Sequence, residues 1–165
     1  MKLGTHFKPN DSNFQERIQE SFQRQRFMGL IGAELIEVKP GLCEIQVPFQ
    51  RSLTQQHGYF HAGVIGAIAD SAGSYAAYSL MPADSSILTV EYKLNLLNPG
   101  HGNVLIARGY SVKAGRTLSI AKAEVLVEKN GIRTICATSL MTLIQLPATS
   151  DKPTRNHTPK KLDID

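Results

Sequence analysis

Apolar and polar residues alternate through most of this chain, and the period changes from segment to segment. In the stretch "AELIEVKPGLCEIQVPF" (residues 33–49), Cys43, Ile45, Val47 and Phe49 alternate with Glu44, Gln46 and Pro48. A period of two predicts strands with one buried face, and Lys39-Pro40-Gly41 between two such runs predicts a hairpin. Four more strand-like runs follow later, Ile87–Leu97, Val104–Lys113, Thr117–Lys129 and Ile132–Gln145. They are separated by Asn98-Pro99-Gly100, Ala114-Gly115-Arg116 and Asn130-Gly131, the last a strong two-residue hairpin signal. Residues 52–60 read as a loop, and residues 61–80 as a helix rich in small residues that stops at Met81-Pro82. Upstream, residues 12–26 predict a polar helix, with Phe14, Ile18 and Phe22 as a narrow apolar stripe and Ser12 with Gln15 as a capping box. This stripe suits docking onto the domain, or a lid over a ligand.

The order strand, strand, long helix, four strands predicts an α+β fold in which an antiparallel sheet wraps around one central helix. Gly63, Gly66, Ala69 and Gly73 would let the sheet come close to that helix. The expected organisation is an N-terminal extension with its amphipathic helix (1–26), one domain (27–146) and a polar, Pro-bearing tail (147–165) expected to be disordered.

The long helix carries one anomaly. From Ser52 to Ala83, Asp70 is the only charged side chain. A buried, unpartnered carboxylate is unfavourable, so it must raise its pKa, find donors, or face water or a ligand. Three arrangements satisfy this: exposure on an open face, hydrogen bonding to hydroxyls such as Ser71, Ser74 or Thr89, or service as a catalytic base or nucleophile in a partly dry pocket. The start of the same helix offers Ala62, Gly63 and Val64, whose backbone N–H groups are expected to be free at the positive end of the helix dipole. Such an end suits a carbonyl oxygen that gains charge during acyl transfer. Asp70 lies nine residues after His61, about 13 Å along a helix and on its opposite side. One helix cannot bring both features to one reacting atom; two antiparallel helices related by a two-fold axis can.

The run His61-Ala62-Gly63-Val64-Ile65, with Asp70 nine after the histidine, resembles the hot-dog-fold acyl-CoA thioesterases of the phenylacetate-degradation (PaaI-like) type. "MGLIGAELIEVKPGLCEIQVPF" before the helix, "LTVEYKLNLLNPG" after it and "VKAGRTLSIAKAEV" extend the resemblance over residues 27–145. The resemblance implies a hot-dog fold, with Asp70 activating water or attacking a thioester carbonyl polarised by the Ala62 N–H of another subunit. Thr89 would orient water, Gln55 would lie close to the thioester where many members carry Asn, and His61 would shape the helix start. Ala62 stands where the family usually has Gly, so its methyl group faces the acyl group or the turn. Lys113 and Arg116 are candidates for the phosphates of coenzyme A, with Lys93 and Arg108 behind them. Tyr59, Phe60, Ile65, Ile68 and Tyr75 are candidates for the acyl pocket, beside Gly63 at the helix start. The implied protein is a cytoplasmic homodimer, or a dimer of dimers, acting on acyl-CoA with no metal or other cofactor. A hot-dog hydratase or dehydratase is a rival, but the His-Phe-Pro and Asp-x4-His patterns associated with it are missing. A non-catalytic acyl-CoA or acyl-carrier binding protein is another rival.

Composition narrows the alternatives. The net charge of +4 is spread over both ends, five basic and three acidic residues in 1–26 and four and three in 151–165, which argues against nucleic-acid binding. His61, Asp70 and three glycines argue against residues 61–80 as a membrane span. The N-terminus shows no apolar signal region. Cys43 and Cys136 are expected as free, buried thiols. His57 and His61 are four apart, but no third ligand accompanies them, so no metal is expected. His6, His101 and His157 read as isolated surface residues. No Gly-x-Ser-x-Gly elbow, phosphate loop or Cys–His nucleophile pattern occurs.

Overall fold

The structure is a computed structural model that describes residues 7–149 and 151. Its elements are α1 (Phe14–Arg24), α2 (Arg26–Leu30), β1 (Glu34–Lys39), β2 (Leu42–Pro48), α3 (Ala62–Tyr78), β3 (Ser86–Leu96), β4 (Val104–Lys113), β5 (Leu118–Lys129) and β6 (Ile132–Leu146). A 3-10 turn, Arg51–Leu53, leads into the loop before α3. The expected helix and strands all form, with ends moved by one or two residues. Residues 1–6, part of the N-terminal extension, and most of the polar tail lie outside the described residues.

All six strands join one antiparallel sheet in the order β1-β2-β4-β5-β6-β3, and α3 packs across its concave face. The alternation read from β2 holds within the strand, where Cys43, Ile45 and Val47 are fully buried and Glu44 and Gln46 face outward, but Phe49, expected on the buried face, lies past the strand's end and is exposed. Both cysteines are free and buried, and burial pushes both thiols up, Cys136 to about 11. The β5–β6 hairpin turns through Asn130 (φ +52°) and Gly131 (φ +78°), the left-handed pair that a two-residue turn matching strand twist requires.

The closest approach of sheet to helix involves a glycine on the sheet side. A side chain at Gly109 in β4 would collide with the Ala72 carbonyl and the Gly73 amide, so β4 lies directly on the α3 backbone. On the helix side, Gly66 faces Tyr92 and Leu94 of β3, and Gly73 makes room for Met141 of β6.

The N-terminal region departs from expectation in two ways. The capping box does not form: Asn13 is the N-cap without a side-chain bond, Ser12 turns to Asn13, and Gln15 donates to the Val38 carbonyl at 3.0 Å. Docking onto the strand outweighs the local cap. The chain also breaks at Gln25 (ψ 96°) and restarts as the five-residue α2. The apolar stripe docks as expected, because Phe14, Ile18 and Phe22 join the core cluster. Arg17 of α1 lies over the Tyr78 ring at 4.2 Å and donates to the carbonyls of Tyr78, Met81 and Pro82 at 3.3, 3.0 and 2.9 Å.

One edge is left bare. Among the described residues β3 borders only β6, and it exposes Leu88, Val90, Tyr92 and Leu96. A long apolar edge is a template for another strand.

Candidate active site

The start of α3 is built by His61. Its backbone is extended (φ −65°, ψ 139°), and its Nδ1 accepts a hydrogen bond from the Gly63 N–H at 2.9 Å. A Cβ at Gly63 would lie 3.0 Å from that nitrogen, so glycine leaves the space this cap needs. The His61 carbonyl accepts from Val64 and Ile65 at 3.0 and 3.3 Å. The expected trio of free N–H groups is thereby reduced. Gly63 and Val64 are taken, and among the described residues only the Ala62 N–H at the helix start has no partner. A single donor at the positive end of a 17-residue helix remains for an incoming oxygen.

Ala62 opens into a cavity of about 390 Å³ that Gln55, Tyr59, Phe60, Ile65 and the 96–100 segment also line. The Gln55 Oε1 accepts from the His57 N–H, which leaves its amide nitrogen as the donor. Phe60 is buried edge-on against Phe49 at 5.4 Å, and Tyr59 packs on His101 at 5.3 Å. His101 is therefore not isolated, and Lys129 Nζ also lies 3.2 Å from its Nε2.

Asp70 sits two turns along α3, half-buried, with both hydrogen bonds on one oxygen. Thr89 donates to Oδ1 at 2.7 Å, Ser74 reaches the same atom at 3.5 Å, and the two hydroxyls lie 3.2 Å apart. Among the described residues no partner reaches Oδ2. Burial pushes the Asp70 carboxyl above the ordinary carboxylate range, and the two hydroxyls pull it part of the way back. Ser71, the other hydroxyl considered, is buried without bonding Asp70. The arrangement is a carboxylate with a fixed rotamer, one free oxygen and increased basicity.

The candidate residues fall into two groups that do not meet within the chain. Ala62, Gln55, Tyr59 and Phe60 surround one cavity, and Asp70 with Thr89 lies about 12 Å along the helix, outside that lining. Lys113 and Arg116 lie elsewhere: Arg116 lines a cleft with Ala77, Leu80 and Met81 at the C-terminal end of α3. Lys113 ends β4, on the approach to the same turn. Arg108 is ion-paired with Glu44 on β2. Of the acyl-pocket candidates, Ile68 and Tyr75 are core. Tyr75 is hydrogen-bonded to Ser21 and Gln25, and its phenol is pushed up to about 12 by burial. Among the described residues, no three of His, Cys, Asp and Glu gather as a metal site would require. No described helix is long and apolar enough to cross a membrane. Sequence reasoning did not pick out the 96–100 lining or α2; the Asn-Pro-Gly break at 98–100 was the available signal for the first.

Comparison with known proteins agrees with this fold. Residues 57–134 match the pattern of the thioesterase superfamily. A crystal structure of a thioesterase family protein from Silicibacter pomeroyi superposes with a TM-score of 0.80 at 41% identity, covering 81% of this chain and 98% of that one. The 1,4-dihydroxy-2-naphthoyl-CoA hydrolase of Listeria monocytogenes is 25% identical over 104 residues, 61% of this chain and 85% of that protein. The PaaI protein of the E. coli phenylacetic acid degradation operon shares the fold alone, with a TM-score of 0.73 at 14% identity over 85% of this chain and 98% of that one. With a sheet wrapped on a central helix whose start keeps a single open amide, this chain belongs to the thioesterase superfamily and has its hot-dog fold.

Proposed function

We propose that this protein is an acyl-CoA thioesterase that hydrolyses a medium-chain or aromatic acyl-CoA to the free acid and CoA. It works in the cytoplasm as a homodimer, or as a dimer of dimers, and needs no metal or other cofactor. The observation that carries the reading is Asp70, held at one oxygen by Thr89 with the other oxygen free and its basicity raised by burial. The Listeria hydrolase supports a CoA thioester as the substrate class.

The bare edge of β3 supports the assembly. Tyr92, near its middle, faces Gly66 of α3, and Gly66 lies midway between Ala62 and Asp70. A two-fold axis there pairs β3 with its copy and sets the two α3 helices antiparallel. Asp70 of one protomer then faces the Ala62 N–H and Gln55 amide of the other. Asp70 takes a proton from water as that water adds to the thioester carbonyl. The negative oxygen is held by the Ala62 N–H and the Gln55 amide, both outside the attacking protomer. Collapse breaks the C–S bond, and the departing thiolate takes the proton back from Asp70. In the alternative route the Asp70 carboxylate attacks the carbonyl itself, expels the thiolate and forms a mixed anhydride that water then opens.

A thiol-release assay over a panel of acyl-CoAs tests the reading. Asp70→Asn is expected to lower turnover about 10²–10⁴-fold. Full turnover by that variant sinks the reading, as does hydration of a 2-enoyl-CoA by a wild type that cleaves no acyl-CoA. Light scattering tests the assembly, and an active monomer would exclude the shared site.

A further inference from the structure

A second opening flanks the start of α3. It has a volume of about 540 Å³ and lies between α2 and the Ser52–Thr54 segment on one side and His61, Gly63 and Val64 on the other. Two of its wall residues are conspicuous: Phe27 is 50% and Leu30 77% exposed, although each is an apolar side chain on a short helix tied into the domain through buried Met28 and Ile31. The lining contains no Lys, Arg, Asp or Glu, and its one titratable group is the His61 imidazole, whose Nδ1 is already bound to the Gly63 N–H. The cavity on the other side of Ala62 also has no charged residue in its lining, which includes Phe60, Leu96 and Leu97, and the two differ in where they lead. It has the Gln55 amide, the Tyr59 phenol and Asn98 in its wall, and Tyr59 leads out to the His101–Lys129 pair.

Ala62 separates the two openings, since its neighbours His61 and Gly63 line one and Ala62 itself lines the other. A thioester whose carbonyl oxygen sits on the Ala62 N–H therefore has one route that leads past Tyr59 towards His101 and Lys129, and one that ends against the exposed side chains of Phe27 and Leu30. We infer that the apolar groove against α2 receives the acyl chain, and that Phe27 and Leu30 set the chain length accepted. This rests on the thioesterase reading for the position of the carbonyl. The volume lies in the range of small-ligand sites, and an acyl chain is the part of an acyl-CoA that gains from covering the exposed Phe27 and Leu30 side chains. The polar arm of CoA leaves by the other cavity.

Binding separates this inference from hydrolysis. Butyryl-, hexanoyl-, octanoyl- and decanoyl-CoA are titrated calorimetrically into Asp70→Asn protein, which is expected to bind without turnover. Affinity should rise with chain length, by at most about fourfold per methylene, until the groove is full. Adding Leu30→Asp should cut the octanoyl-to-butyryl affinity ratio at least tenfold, and Leu30→Trp should move the plateau to shorter chains. The same substitution at Ile132, 71% exposed on the β5–β6 hairpin, should leave the ratio within twofold. The inference is overturned if affinity does not depend on chain length, or if both Leu30 variants keep the parent's ratio and plateau. Thiol release by the wild type reports on the other question: binding with the chain-length trend but without cleavage keeps the groove and removes the thioesterase reading.

Discussion

The two ends of α3 are treated in opposite ways. At its buried C-terminal end, the carbonyls of Tyr78 and of residues just beyond it take donors from distant parts of the chain. Arg17 closes Tyr78, Met81 and Pro82, Asn10 donates to Leu80 at 2.8 Å, and Ser79 both accepts from Gly41 and donates to Ala76. The Tyr78 phenol is tied to the Ser85 carbonyl at 3.0 Å. At its N-terminal end the chain stops one bond short. His61 covers Gly63, Val64 and Ile65 and leaves Ala62 open beside two cavities. Ala62 is exposed, so its open N–H meets solvent at little cost, and the helix start stays accessible to an incoming acceptor while the buried end is closed.

The sharpest way to break that contrast is Ala62→Pro. Proline is accepted at the first helical position, and the extended His61 backbone (φ −65°, ψ 139°) already has the conformation a following proline demands. The variant removes the open N–H and puts two ring methylenes beside it, without disturbing another hydrogen bond of the helix start. Turnover is expected to fall about 10²–10³-fold, and thermal unfolding should show a stability change within about 0.5 kcal/mol. Unchanged turnover in a folded variant would mean that this amide does not serve the substrate.

Arg17→Ala attacks the sealed end and should do the reverse. It leaves the Met81 carbonyl without a donor, takes one of several donors from Tyr78 and Pro82, breaks the ion pair with Asp11 and removes the guanidinium from the Tyr78 ring, so a loss of roughly 1–3 kcal/mol in denaturant unfolding is expected. The turnover of the protein that remains folded should stay within about twofold. His61→Ala should cost about 1 kcal/mol through the lost cap, with a fall in turnover as the helix start loosens.

The smallest effect sharpens the role of Asp70. Its folded pKa is raised above 3.8, so the folded protein binds the proton more tightly than the unfolded chain. Stability therefore declines as pH rises from about 3.8 through the folded value, and the loss persists at neutral pH. Asp70→Asn should melt higher than wild type at pH 7, and the gain should vanish as pH falls below the unfolded value. A gain independent of pH would show that the carboxyl does not titrate in this way.

The sequence showed the parts of this contrast more readily than their arrangement. Periodicity marked α3 and the strands, and Asn130-Gly131 marked a hairpin, because each is a local property of backbone and turn chemistry. The place of β3 beyond β6 was not legible, since turn signals join neighbours and β3 pairs with a strand that forms 36 residues after it ends. α2 was missed because five residues show too little periodicity, and no side-chain cap marks its start. Asp70 stood out as a lone charge, and its Ser74 and Thr89 partners were among the hydroxyls named. The distribution of N–H groups at His61 was not legible, because it depends on where one imidazole ring turns. Lys113 and Arg116 were selected for charge, and the fold carries their turn towards the end of the helix away from Ala62 within one protomer.

The open margin of β3 has a further consequence for handling the molecule. Its row of exposed Leu88, Val90 and Tyr92 is adhesive wherever nothing covers it, and it will take indiscriminate contacts in concentrated solution. Turbidity is the expected sign of that, and a lysine at Val90, which puts like charges on any two such edges that meet, is the substitution expected to clear it.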